Sequence, residues 1–148
     1  MNKIIISLPI VLVSLLYCDE CICYGTTSLG RLENGTQLPT SGKNFTNYST
    51  IGVLSGRTYV HSKVRDVIVA AYEALEISMP AKVYMYGETG YKEGGSLYPH
   101  KTHQNGLSVD FMVPVKDNSG TSVHLPTNPL NKFGYDIEFD SEGHYDEY

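Results

Sequence analysis

Tryptophan is absent from this chain, and its only cysteines, Cys18, Cys21 and Cys23, crowd close to the N-terminus. Beyond Cys23 there is no thiol, so most of the sequence has no disulfide framework, no thiolate nucleophile and no cysteine-type zinc site. Cysteine peptidase chemistry is excluded, and His, Asp and Glu are left as the plausible metal ligands. Basic charge is also scarce. Lys and Arg number 11 against 16 Asp and Glu, for a net charge of −5, and no basic stripe offers a track for nucleic acid. No apolar run reaches the roughly 20 residues needed to span a bilayer. There is no GxxxxGK phosphate loop, no HExxH zinc motif and no internal repeat.

What the N-terminus does have is Lys3 followed by an apolar run from Ile4 to Leu16, broken only by Ser7, Pro9 and Ser14. A charged start and a short hydrophobic core mark a secretory signal peptide. It is predicted over residues 1–25, with cleavage after Cys21, Cys23 or Gly25. A lipoprotein acyl site at Cys18 is disfavoured by the bulky Tyr17 before it. The remainder, residues 26–148, suffices for one core and not for two. Its setting is expected to be periplasmic or secreted, with no stable membrane insertion after cleavage.

Residues from about Gly25 to Thr50 are rich in Gly, Ser, Thr and Asn with little periodicity, and predict an extended wrap or loop. A helix follows from about Ser62 to Ile77, with Ser62 as N-cap and Val64, Val67, Ile68, Ala71 and Leu75 as its buried stripe. Pro80 ends it. The stretch Lys82 to Tyr86 predicts a strand, and a Gly-rich loop from Gly87 to Gly95 leads onward. From Leu107 the pattern alternates. Leu107, Val109, Phe111, Val113 and Val115 fall on one face, expected to pack on the core, and Asp110 on the other. The fold class expected is α+β, a small, mainly antiparallel sheet with a packed helix, preceded by a signal peptide.

Chemistry concentrates between the Gly-rich loop and that alternating stretch, in Pro99-His100-Lys101-Thr102-His103-Gln104-Asn105-Gly106-Leu107-Ser108-Val109-Asp110. Asn105-Gly106 supplies a turn, so His103 can fold back toward the Asp110 carboxylate, and His100 lies one short loop segment earlier. Neutral imidazoles and a carboxylate are common ligands of zinc at catalytic sites, where three protein groups leave the fourth position to water. His100, His103 and Asp110 are therefore the candidate metal ligands.

These residues carry a resemblance. Gly87-Glu88-Thr89-Gly90, Gly94-Gly95 and His100-x-x-His103-Gln104-x-Gly106-Leu107-x-x-Asp110-Phe111 resemble the penicillin-insensitive murein endopeptidase family. That family belongs to a wider group of zinc peptidases with D-Ala-D-Ala carboxypeptidases and lysostaphin-like enzymes. The resemblance is dense from about Gly87 to Val115 and diffuse upstream to about Leu29. It implies Zn2+ held by His103 and Asp110 with His100 as a further ligand or close neighbour. Gln104 and Tyr98 are implied to orient substrate, and the substrate is the peptide cross-link of peptidoglycan. The alternatives are D-Ala-D-Ala carboxypeptidase action and a non-catalytic cell-wall binding protein. Thr102 stands where members often have serine. The family completes its site with a His-x-His element near the C-terminus, and this chain has none; beyond Asp110 its histidines are His124 and His144. The expectation is a chain that stops short of the full domain, with Phe133 to Asp140 reading as a strand and His144 as an accessory ligand with Asp140 at most. The catalytic proton-transfer group stays unknown.

Overall fold

The computed structural model describes residues 20–117, 119–125 and 127. The predicted signal segment before residue 20, the strand expected at Phe133 to Asp140 and His144 lie outside the described residues.

The described residues begin with a hairpin. Strand β1 (Ile22–Gly25) pairs antiparallel with β2 (Gly30–Glu33), from Ile22 opposite Glu33 to Gly25 opposite Gly30. Strand β3 (Thr36–Gln37) pairs antiparallel with β5 (Tyr59–Val60). Between them lie β4 (Phe45–Asn47) and a short helix α1 (Thr50–Leu54), capped where the Gly52 N–H donates to the Ser49 hydroxyl at 3.1 Å. Helix α2 spans Ser62–Ser78 and leads to β6 (Tyr84–Tyr86), which pairs in parallel with β4. A parallel pair needs a crossover, and α2 supplies it. The last hairpin among the described residues joins β7 (Val115–Lys116) to β8 (Ser122–Val123). The described residues are thus α+β, with small antiparallel pairs around one parallel pair.

Alternation along β6 divides the interior. Tyr86 faces α2 and is buried with Leu38, Phe45, Val60, Ile68 and Tyr72, while Val64, Leu75, Tyr84 and Val109 pack around them. Phe45 and Tyr72 stack with ring centroids 4.3 Å apart. Met85 points the other way, into a smaller cluster with Tyr48 and Leu125 that Met112 and Val115 flank.

Four expectations need correction. Residues 25–50 are no featureless wrap, because β2, β3 and β4 fall within them; their short pairings give no apolar run for the eye to find. The bounds of α2 agree with prediction to within a residue, but its buried side is turned. Ile68 and Tyr72 are buried, whereas Val67 is 69 % exposed and Ala71 is exposed. Tyr72 wins its place by stacking on Phe45. The N-cap is His61, whose Nδ1 accepts from the Lys63 N–H at 3.1 Å, and Ser62 begins the helix. Last, Leu107 to Val115 forms no continuous strand. Only Phe111 bridges to Tyr86, and regular pairing begins at Val115. Leu107, Phe111 and Val113 stay about half exposed, against the expectation of burial. Leu107 and Phe111 lie beside α2, and Phe111 lines an apolar groove with Val67, Ile68, Met112 and Pro114.

The buried tyrosines give a pH prediction. Burial first, with Tyr84 beside it, pushes Tyr72 from its ordinary 10.0 up to about 12. Burial likewise raises Tyr86, and burial with the Glu88 bond raises Tyr48. Raised phenol values favour the protonated fold, so this stability is fully present below the ordinary tyrosine range and lost as pH climbs through the raised values. In an alkaline titration, phenolate absorbance should rise in two phases. The second phase should coincide with loss of the circular dichroism signal.

Candidate metal centre

The centre grows from the end of β6. Beyond Tyr86 the chain runs alongside the segment that carries Asp110. The Gly87 N–H donates to the Asp110 carbonyl at 2.7 Å, and the Asp110 N–H donates back to the Glu88 carbonyl at 3.1 Å. Two residues later, Gly90 takes φ +152°, a backbone that side-chain-bearing residues rarely adopt, and a Cβ there would lie 2.7 Å from the His103 carbonyl oxygen. Gly90→Ala should therefore cost about 1–3 kcal/mol of stability in denaturant unfolding, and should weaken metal binding by displacing His103.

His103 itself stands at φ +73° and is 2 % exposed. Its loop is pinned on both sides: the Gln104 N–H donates to the Thr27 carbonyl, the Gln104 carbonyl accepts from Gly95, and the Gly106 carbonyl accepts from His61, each at 2.9 Å. The ring is fixed by its own nitrogen. Nδ1 lies 3.1 Å from the Thr89 carbonyl, which can only accept, so Nδ1 carries the proton. That turns Nε2 toward Asp110 Oδ1 at 3.3 Å, where it donates when the ring is charged and offers its lone pair to an ion when the ring is neutral. Burial alone would lower the His103 pKa, but the Asp110 carboxylate and the carbonyls of Thr89 and Ser108 outweigh it, and the net shift is upward.

His100 comes to the same point from the other side. Its Nδ1 lies 3.9 Å from Asp110 Oδ2, and its ring meets that of His103 edge-on, centroids 5.0 Å apart. One ligand atom from each of His100, His103 and Asp110 lies within 4.8 Å of the others. Ligand bonds of roughly 2.1 Å around a tetrahedral ion put donors about 3.4 Å apart, so small side-chain rotations close the set. The donors are imidazole nitrogen and carboxylate oxygen, as a borderline metal such as zinc prefers. These three residues can hold a metal ion. His103 forms the floor at 3 % side-chain exposure, and Asp110, at 47 %, the open edge.

Behind the histidines sits a buried ion pair that the pattern of the sequence did not single out. Both Glu88 oxygens accept from Arg57, Oε1 from Nε at 2.6 Å and Oε2 from Nη2 at 2.8 Å. The Tyr48 hydroxyl donates to Oε1 at 2.5 Å. Burial pushes the Glu88 carboxyl up, but bonds from Arg57 and Tyr48 and the nearby positive charge prevail, and the net shift is downward. Arg57 is oriented in turn by the Tyr98 carbonyl at 2.7 Å and the Tyr91 hydroxyl at 3.1 Å. A signal for Glu88 did exist: a lone carboxylate two residues beyond the apolar strand Val83-Tyr84-Met85-Tyr86 needs a buried partner.

Of the residues expected to touch substrate, Tyr98 is 86 % exposed beside the centre. Gln104 turns its side-chain oxygen toward the Gly30 N–H at 3.5 Å, bracing the first hairpin. His124 is exposed just after β8 and belongs to no metal-capable group among the described residues. No helix among the described residues is long and apolar enough to cross a membrane. A scan against protein-family models returns no match for this chain, and neither does a search of curated proteins.

Proposed function

We propose that this protein is a zinc-dependent peptidase of the murein endopeptidase type, acting on peptide cross-links of peptidoglycan after export. The observation that carries the reading is the convergence of His100, His103 and Asp110 on one partly open point. The local sequence around those ligands adds the resemblance that suggests the substrate.

Bound there, zinc would supply Lewis acidity and a water acidified toward neutrality. The chain's own residues do the rest. His103 and His100 bring neutral nitrogens, and Asp110 brings one negative charge that limits the net charge of the centre. Glu88 adds no uncompensated charge because Arg57 neutralises it. The exposed Tyr98 ring offers a surface for the substrate peptide.

The test is zinc stoichiometry on the purified exported chain, followed by incubation with defined muropeptide dimers and mass analysis. About one zinc per chain and dimers split to monomers support the proposal. Release of free alanine would move the assignment to carboxypeptidase action. Sedimentation with murein sacculi without soluble fragments would make it a wall-binding protein. The export step has its own check. Of the three expected cleavage points, only the one after Cys21 keeps β1 and its full ladder to β2, so N-terminal sequencing of secreted protein should begin at Ile22.

A further inference from the structure

The two histidines of the centre offer opposite nitrogens. His103 holds its Nδ1 against the Thr89 carbonyl and presents Nε2 to Asp110. His100 does the reverse, with Nδ1 toward Asp110 and Nε2 only 2.5 Å from Glu88 Oε2. That nitrogen is buried, and its approach to Glu88 falls outside hydrogen-bond angles, so no described residue satisfies it in this rotamer. A lone pair so close to a carboxylate oxygen would be repelled by it. A proton on Nε2 turns the same contact into attraction, and a small ring rotation aligns it.

We propose that Glu88 is a positioning residue of the metal centre: it keeps the His100 proton on Nε2, so that His100 presents Nδ1 to the ion. This rests on the metal-centre reading above. Metal-bound histidines characteristically give their other ring nitrogen to a carboxylate or carbonyl, which fixes tautomer and orientation. Glu88 and Thr89 are consecutive, so one dipeptide sets both rings. Glu88 stays out of the coordination shell because Arg57 and Tyr48 already engage its oxygens.

The Glu88→Gln variant exchanges an acceptor for a donor at the critical place. Tyr48 and Arg57 Nε hold the amide oxygen in the position of Oε1, which turns the NH2 group toward His100 Nε2 and forfeits the bond that Arg57 Nη2 gives Oε2. The His100 proton is then driven to Nδ1, the atom that should bind metal. The first readout needs no metal: two-bond 15N–1H correlation spectra of the labelled full chain, at a pH where both rings are neutral. His100 should be the Nε2–H tautomer in the unaltered chain and shift toward Nδ1–H in Glu88→Gln, while His103 stays Nδ1–H in both. The second readout is Co2+ titration, where affinity should fall about 10–100-fold and the visible spectrum should change.

Should Glu88→Gln fold poorly, the double variant Glu88→Leu with Arg57→Met removes both charges together. It should show mixed His100 tautomers and the same loss of Co2+ affinity. A His100 tautomer that ignores these substitutions, or an Nδ1–H tautomer in the unaltered chain, overturns the proposal even if Co2+ binds. An unaltered chain with His100 as Nε2–H that takes up no Co2+ instead overturns the metal reading on which it rests.

Discussion

Replacing His103 with asparagine should abolish metal binding while leaving the fold in place. Asparagine is the informative substitution because His103 sits at φ +73°, a conformation that asparagine tolerates far better than alanine does. The variant removes the imidazole without adding much backbone strain. His100 and Asp110 would remain, both more exposed than His103. Two donors do not exclude competing water, so the affinity loss should exceed the roughly 10–100-fold that follows loss of an outer partner. Competition against a chromophoric chelator measures it, and circular dichroism checks the fold. Asp110→Asn should behave similarly, with a smaller effect on stability because its side chain is half exposed. Metal content unchanged in both variants would sink the centre as described.

Arg57→Met should be the most destabilising single change at the site. Glu88 is 5 % exposed and Arg57 17 %, so removing the guanidinium strands a carboxylate away from water. Breaking a buried pair from one side typically costs about 3–5 kcal/mol. In the unaltered chain the Glu88 carboxyl is held low, so its contribution is present above the ordinary carboxylate range and fades as pH falls through the depressed value. In Arg57→Met, burial dominates and the carboxyl shifts upward. The defect should then shrink on acidification, as Glu88 takes a proton and ceases to be a buried charge. Chemical denaturation at neutral and mildly acidic pH measures this, and the partner-free double variant Arg57→Met with Glu88→Leu should recover much of the loss. A defect that does not depend on pH would mean that Arg57 acts through its bonds to Tyr91 and Tyr98 and not through Glu88.

The grouping of the three candidate ligands was legible because it is local. His100, His103 and Asp110 fall within one short stretch, with Asn105-Gly106 between them, so turn chemistry alone brings them near one another. The bounds of α2 were legible too, from its apolar period and Pro80. The support of the centre was not, since Arg57 and Glu88 lie 31 positions apart and Tyr48 lies 40 from Glu88. Nothing in a linear pattern pairs them; the parallel joining of β4 and β6 does. Side-chain face was the other weak point. Alternation from Leu107 correctly separated Asp110 from Phe111, yet it carries no information on whether the apolar side is covered. Along α2 the aromatic stack of Phe45 on Tyr72 overrode the aliphatic stripe that counting favoured.

From the parallel joining of β4 to β6 follows an expected order of events during folding. Closing that pair encloses α2 and β5 in one long loop, a slow step governed by chain entropy. Tyr48 directly follows β4, so its brace on Glu88 should form with that closure. The ligand stretch from His100 to Asp110 needs no such closure and can gather an ion early, as a flexible chelate. Metal present during refolding should thus be captured loosely at first and tightened when β4 docks, so that release slows in step with the last folding phase.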